Sequence, residues 1–514
     1  MLLRIGFVSG FARLAGDGSP TYGGEGVEDE DEWEEKREQK SYNVVERSRL
    51  NRLHSHALRK FSAEQGTVMA KITFMGAGST VFVKSVLGDC MLRESLCNSH
   101  IALYDVDAIR LRESKRMLDT LNRNINQGRA KITAHLGTDK RRAALNGANY
   151  IVNAIQVGGY DPCTITDFEM PKRYGLRQTI ADTLGIGGIF RTLRTLPVML
   201  DFAQDIEAVC PKAWLLNYTN PMAMLTGGVL RGTQVHAVGL CHSVQVCAAS
   251  LLHSLDLLEK YPPHECVQYV AGINHMAWLL KIEHKGKDLY PEVKRIAAEK
   301  LRRWRSGQEK SGNMVRLEMM LQTGYYVSES SEHLSEYVSH FIQASAPQLI
   351  EEFNIPLDEY PRRCINQIAH WKQQSKDIVT NPNLTHVRTH EYASAIMDAI
   401  ETNLPIMIGG NVINHGMIPN LPSAACVEVP CLVDGNGVQG CYVGDLPEVC
   451  AAYNRTNINV QLLTIEAVLE RRRDRIYQAA MLDPHTAGQL TIDQIRNLVD
   501  DLIEAHGTWL PKFK

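Results

Sequence analysis

Three polar stretches interrupt otherwise apolar text: Asn217-Tyr218-Thr219-Asn220-Pro221, Gly239-Leu240-Cys241-His242-Ser243 and Gly272-Ile273-Asn274-His275-Met276. Each follows a short β-prone run, so each falls at a strand end, where open α/β sheets place their ligand crevice. Amides, thiols and imidazoles buried there without partners are costly, and their convergence implies a bound molecule. Cys241 and His275 offer a thiolate and an imidazole that together hold one divalent ion and leave positions open for substrate oxygens, as catalytic metal sites do. The alternative for the same pair is a core cysteine and a hydrogen-bonded histidine.

A second kind of chemistry is written into Lys71-Ile72-Thr73-Phe74-Met75-Gly76-Ala77-Gly78-Ser79. Glycines at 76 and 78, directly after a strand, let the backbone turn tightly and approach a pyrophosphate at the start of the next helix. Asp105 ends the following strand, 27 residues beyond Gly78, where a carboxylate accepts bonds from an adenine-ribose hydroxyl. That interval exceeds the usual one of about 20 residues. An acid at this place favours NAD over NADP, because it repels a 2′-phosphate. The third glycine of the full fingerprint is replaced by Val81, which leaves open that Gly76 and Gly78 simply make a turn.

The elements that must position these residues alternate. A strand at 71–75 is followed by a helical segment over 81–96 and a strand at 101–105, a β-α-β unit. Further strand-like runs at 150–156, 214–218 and 235–241 alternate with helical stretches, giving an α/β, doubly wound domain over 70–265. Beyond it the text is mixed. A possible strand at 267–274, amphipathic stretches at 291–305 and 313–324, strand-like pieces at 405–412 and 426–433, and helices over 455–480 and 492–506 predict an α+β domain over 266–514.

Composition sets the class. At 514 residues, with 44% apolar residues, the chain is long enough for two substantial cores. A net charge of −3 argues against nucleic acid as partner, and no apolar run is long enough to span a membrane. Twelve cysteines without CxxC pairs read as reduced, cytoplasmic thiols. Residues 1–69 differ from the rest and contain the acidic run Glu28-Asp29-Glu30-Asp31-Glu32-Trp33-Glu34-Glu35. This composition predicts a disordered, dispensable extension, with Met69 placed to start the folded chain.

Taken in order, Gly76-Ala77-Gly78-Ser79 and the three polar stretches resemble glycoside hydrolase family four, the melibiase-type α-galactosidases above all. Gln156-Val157-Gly158-Gly159-Tyr160, Glu329-Ser330-Ser331-Glu332-His333 and Pro356-Leu357-Asp358-Glu359-Tyr360-Pro361 carry the same resemblance, which runs from Met69 to the end. It implies NAD in a Rossmann-type first domain at Gly76, Gly78, Ser79 and Asp105. It also implies Mn2+ or a similar ion at Cys241 and His275, a sugar contact at Asn220, a tyrosine base matched to Tyr337, and a homodimer or homotetramer. Tyr337 has an interface or core aromatic as its alternative. Two positions depart from relatives: His242 follows the metal cysteine where an acidic residue is common, and Ile186 in Gly185-Ile186-Gly187-Gly188 replaces a usual proline. His242 is the candidate general acid.

Most glycosidases work with two carboxylates, and this family is an exception. The resemblance implies oxidation of the sugar at C3, loss of the C2 proton to Tyr337, departure of the aglycone, addition of water and return of the hydride. The expected substrate is an α-galactoside such as melibiose. A 6-phosphoglycosidase is the rival within the family and needs a cationic pocket. Arg191, Arg194, Arg362 and Arg363 are its candidates, with surface or helix charges as their alternative. A hydroxy-acid dehydrogenase and a non-enzymatic NAD sensor are the rivals from other classes.

Overall fold

The computed structural model describes residues 69–514 apart from Gln308; the expected disorder of the extension lies outside these residues. Residues 70–514 form one compact unit around a 13-stranded sheet. Its strands are β1 Lys71–Met75, β2 His100–Asp105, β3 Lys131–Leu136, β4 Tyr150–Asn153, β5 Trp214–Asn217, β6 His236–Gly239, β7 Cys266–Ile273, β8 Met276–His284, β9 Lys287–Asp288, β10 Tyr326–Val327, β11 Ile406–Ile413, β12 Cys426–Asp434 and β13 Gly437–Gly440. The main order is β10-β8-β7-β12-β11-β6-β5-β4-β1-β2-β3.

The six strands from β6 to β3 pair in parallel. Read from the other edge they run 3-2-1-4-5-6, the doubly wound order, with the switch point between β1 and β4. β1 and β4 are buried almost throughout and apolar, as expected of strands covered on both faces. The covering helices are α1 Thr80–Met91, α2 Ala108–Asn126, α3 Ile165–Arg173, α4 Gly185–Val209, α5 Met222–Gly232 and α6 Ser243–Ser254. Later come α7 Tyr290–Ser306, α8 Met314–Thr323, α9 Ser331–Ser335, α10 Glu359–Val379, α11 Tyr392–Thr402, α12 Glu448–Glu470, α13 Arg473–Leu482 and α14 Ile492–His506.

From β6 onward the pairing becomes antiparallel, and the sheet runs on without a break across position 265. Two of these joints are narrow. β6 meets β11 only through Gly239 and Asn411, and β12 meets β7 only through Glu428 and Gly272. Both joints are filled by buried polar side chains, with Asn411 donating to Glu428 at 2.9 Å and Asn274 donating to it at 3.4 Å.

Five strands were not legible in the sequence, the short β9, β10 and β13 among them. β3 is an exposed edge with alternating burial. β8 follows β7 after only Asn274 and His275, a hairpin in which Ile273 pairs with Met276. The helical stretch expected over 455–480 is two helices, broken where Arg471 takes a left-handed φ of 57°. Gly185-Ile186-Gly187-Gly188 is the buried first turn of α4.

Candidate active site

The ends of β4, β5 and β6 are stitched together by their own polar side chains. Asn153 donates to Asn217 at 2.9 Å, Thr219 donates to the Ile155 carbonyl at 3.1 Å, and the Leu240 amide donates to the Asn217 carbonyl at 2.9 Å. These bonds fix the loop that carries Asn220 beside the loop that carries Cys241. The Asn220 Oδ1 and the Gln156 Oε1 are buried with no hydrogen-bond partner among the described residues. An unpaired buried acceptor costs about 1–3 kcal/mol, so both call for donors from a bound molecule, as sugar hydroxyls are.

His275 reaches the same place from the hairpin turn between β7 and β8, at a φ of 64°. Two-residue hairpin turns demand left-handed backbone, which histidine tolerates better than most residues. Backbone geometry, more than rotamer choice, therefore aims this imidazole. A donor absent from the sequence reasoning completes the set: ligand atoms of Cys241, His275 and Glu329 all lie within 4.8 Å of one another. Asp182, His275 and His333 form a second group of the same kind, so His275 belongs to both. Glu329 and His333 stand in one of the stretches that carried the resemblance, and that stretch was the only signal for them.

The electrostatics fit a cation. Burial, reinforced by the carboxylates of Glu428 and Glu329, pushes the Cys241 thiol well above its ordinary range. Burial also opposes ionisation of Glu329, but His275, His333 and Arg316 outweigh it and hold the carboxyl low. Burial raises Glu428 to about 7, against the lowering effect of its amide partners. Two carboxyls and a thiol thus crowd together with no lysine or arginine in ion-pair contact among the described residues. A divalent ion supplies the missing charge and would stabilise the thiolate.

Tyr337 follows α9 and is fully buried, with its hydroxyl 3.3 Å from the His275 Nδ1. Burial and the nearby Asp182 and Glu336 push its phenol far above the usual value. His242 sits just before α6 and is not free: its Nε2 lies 2.8 Å from the Glu391 carboxylate. Burial lowers the imidazole's proton affinity, but the bond to Glu391 outweighs it, and the net shift is upward.

The dinucleotide residues, with Gln156 among them, line a crevice of about 610 Å³ at the switch point, within the 300–1,000 Å³ range of cofactor sites. Gly76 has a φ of 85°, and a Cβ there would meet the Ala154 carbonyl oxygen at 2.7 Å. Ser79 precedes the first residue of α1. Asp105 accepts the Gly78 N–H at 2.6 Å and the Asp107 N–H at 2.8 Å. A carboxylate has about four acceptor sites, so two remain for ribose hydroxyls.

None of the proposed phosphate-binding arginines is unpaired. Arg191 donates to the Tyr360 hydroxyl at 3.2 Å and Arg194 pairs with Asp167 at 2.5 Å. Arg362 pairs with Glu359, and Arg363 with Glu359 and Glu332.

A doubly wound sheet with a glycine turn at its switch point, next to a thiol, imidazole and carboxylate cradle, defines a dinucleotide-fold enzyme with a cation site. The sequence matches the family 4 glycosyl hydrolase description over residues 71–257 and its C-terminal domain over 270–486. It is 55% identical over 447 residues to an α-galactosidase of Bacillus subtilis (strain 168), covering 87% of this chain and 100% of that protein. It is 32% identical to an α-galactosidase of Rhizobium meliloti (strain 1021), covering 86% of this chain and 89% of that one. A 6-phospho-α-glucosidase from gut microorganisms, solved in complex with NAD and Mn2+, shares the fold with a TM-score of 0.71 at 20% identity, over 87% of this chain and all of its own. The chain belongs to glycosyl hydrolase family 4, which sets aside the dehydrogenase and the sensor.

Proposed function

We propose that this enzyme hydrolyses α-galactosides such as melibiose, with NAD and a divalent ion such as Mn2+ as resident cofactors. The observation that carries the reading is the convergence of Cys241, His275 and Glu329 beside the Tyr337 hydroxyl. The 55% identical α-galactosidase, matched over its whole length, supports the galactoside. The neutralisation of Arg194, Arg362 and Arg363 by carboxylates disfavours a phosphorylated sugar. Twelve free cysteines support a cytoplasmic setting, and the family resemblance supports a homodimer or homotetramer.

Gly76, Gly78 and Ser79 would hold the NAD pyrophosphate and Asp105 its ribose; when bound, NAD+ supplies the hydride acceptor for sugar C3 and returns the hydride at the end. Cys241, His275 and Glu329 would hold the metal, which supplies Lewis-acid polarisation of sugar oxygens. Asn220 binds a sugar hydroxyl through its unpaired oxygen. Tyr337, held against His275, would take the proton from C2 as its phenolate once the neighbouring carbon is a ketone, a form that a divalent ion bound at His275 would favour. His242, oriented by Glu391, delivers a proton to the departing glycosidic oxygen. Water then adds at C1, so the net reaction is hydrolysis.

Galactose release from melibiose and from its phosphorylated counterpart, in D2O with and without NAD+ and Mn2+, tests the reading. Release from melibiose alone, dependent on both additions and with deuterium at C2 of the product, is expected. Hydrolysis without NAD+ and without deuterium would refute it.

A further inference from the structure

The dinucleotide crevice is not built by the parallel half alone. Trp509, Leu510 and Pro511, from the last residues of the chain, line it together with Gly76 and Asp105. They are fixed there. The Lys514 amide donates to the Arg471 carbonyl at 2.7 Å, and the Arg473 amide donates to the Lys514 carbonyl at 2.9 Å. Leu510 is buried in a core cluster that contains Leu498, Val499 and Leu502 of α14. Three arginines line the crevice, Arg141, Arg194 and Arg471. Arg141 is neutralised by Asp205 and Arg194 by Asp167. The Arg471 guanidinium has no carboxylate in ion-pair contact among the described residues.

A pyrophosphate brings two negative charges into a crevice that Asp105 and Asp201 already make acidic. The N-terminus of α1 offers only about half a positive charge against them. We propose that the C-terminal segment completes the cofactor site, with Arg471 neutralising the dinucleotide's pyrophosphate and the Trp509 indole stacking on one of its rings. This rests on the reading of NAD as the resident cofactor. It makes residues more than 350 positions beyond the glycine turn part of the same binding site.

Isothermal titration of the full chain with NADH and with NADPH, in Mn2+ and without galactoside, tests it. Arg471→Ala and Trp509→Ala are each expected to weaken NADH about ten-fold or more, the scale of losing one stacked ring or one charge contact. Arg471→Lys and Trp509→Phe are expected to keep most of the affinity. Trp509→Leu, which keeps apolar volume without an aromatic face, replaces the alanine variant should that one fail to fold. Wild-type protein that binds no NADH would overturn the NAD reading and this proposal with it. Wild-type binding matched by every variant would overturn this proposal alone. Arg471→Ala that weakens only NADPH would place the guanidinium at a 2′-phosphate and refute the pyrophosphate contact.

Discussion

Replacing Asp105 with alanine separates the two jobs its carboxylate does. At 8% exposure it accepts the Gly78 and Asp107 amides at 2.6 and 2.8 Å. Its loss leaves two N–H groups unpaired, each worth about 1–3 kcal/mol when buried. The crevice admits water to them, which puts the stability loss at roughly 2–4 kcal/mol. The turn itself survives, because the Gly76 and Ala77 amides both bond the Tyr104 carbonyl at 3.0 Å. Loss of the ribose contacts removes a further ~3 kcal/mol from binding, about a hundred-fold in affinity. Thermal melts and calorimetric titration with NADH, and with reduced nicotinamide mononucleotide, resolve the two effects. The variant is expected to melt lower and to bind NADH about a hundred-fold more weakly, while the mononucleotide, which lacks the adenosine ribose, changes less than about three-fold. A lowered melt with unchanged NADH affinity would show that the carboxylate only braces the turn. An equal loss for both ligands would show that the turn had collapsed.

Cys241→Ser, His275→Ala and Glu329→Gln are each expected to weaken Mn2+ by more than the 10- to 100-fold typical of outer-shell partners, with NADH affinity largely kept; electron paramagnetic resonance titration reads this, and unchanged Mn2+ affinity in the Glu329 variant would remove it from the ligand set. Tyr337→Phe is expected to abolish deuterium incorporation at C2 while leaving Mn2+ and NADH bound, and a variant that still exchanges C2 would exclude Tyr337 as the base. Burial lowers His485 to about 4, so the folded state rejects a proton that the unfolded chain takes up below about 6.5. Its contribution is therefore lost as pH falls from about 6.5 towards 4, by roughly 3 kcal/mol in all. His485→Gln should flatten that part of the pH–stability curve measured by urea unfolding; equal acid losses in both proteins would contradict the assignment.

The parallel half was legible because each of its inner strands is a short, mostly apolar run that ends at a glycine, an amide or, in β2, the Asp105 carboxylate. β8 was hidden because its hairpin turn is Asn274-His275, without the glycine or proline that normally marks one. His275 was read as a site residue, yet the left-handed backbone that aims it has no trace in residue type. The metal pair and the glycine turn were visible because each lies at the end of its own strand. Glu329, His333 and Glu391 were assigned no role because they arrive from later elements, and Asp182 because it stands in the loop before α4; only the closed fold brings them within reach. Glu428 and Asn411 lay in the strand-like pieces at 426–433 and 405–412, and their polar joint appears only when β6, β11, β12 and β7 are seen side by side.

The narrow joint between β6 and β11 also shapes the birth of this protein on the ribosome. At about 5–20 residues per second, Ile406 is made roughly 10–30 s after Gly239. Throughout that interval the parallel half holds an unpaired outer strand, with Cys241 and His242 just beyond it. Such an edge is an open template for a second nascent chain until β11 arrives to cover it.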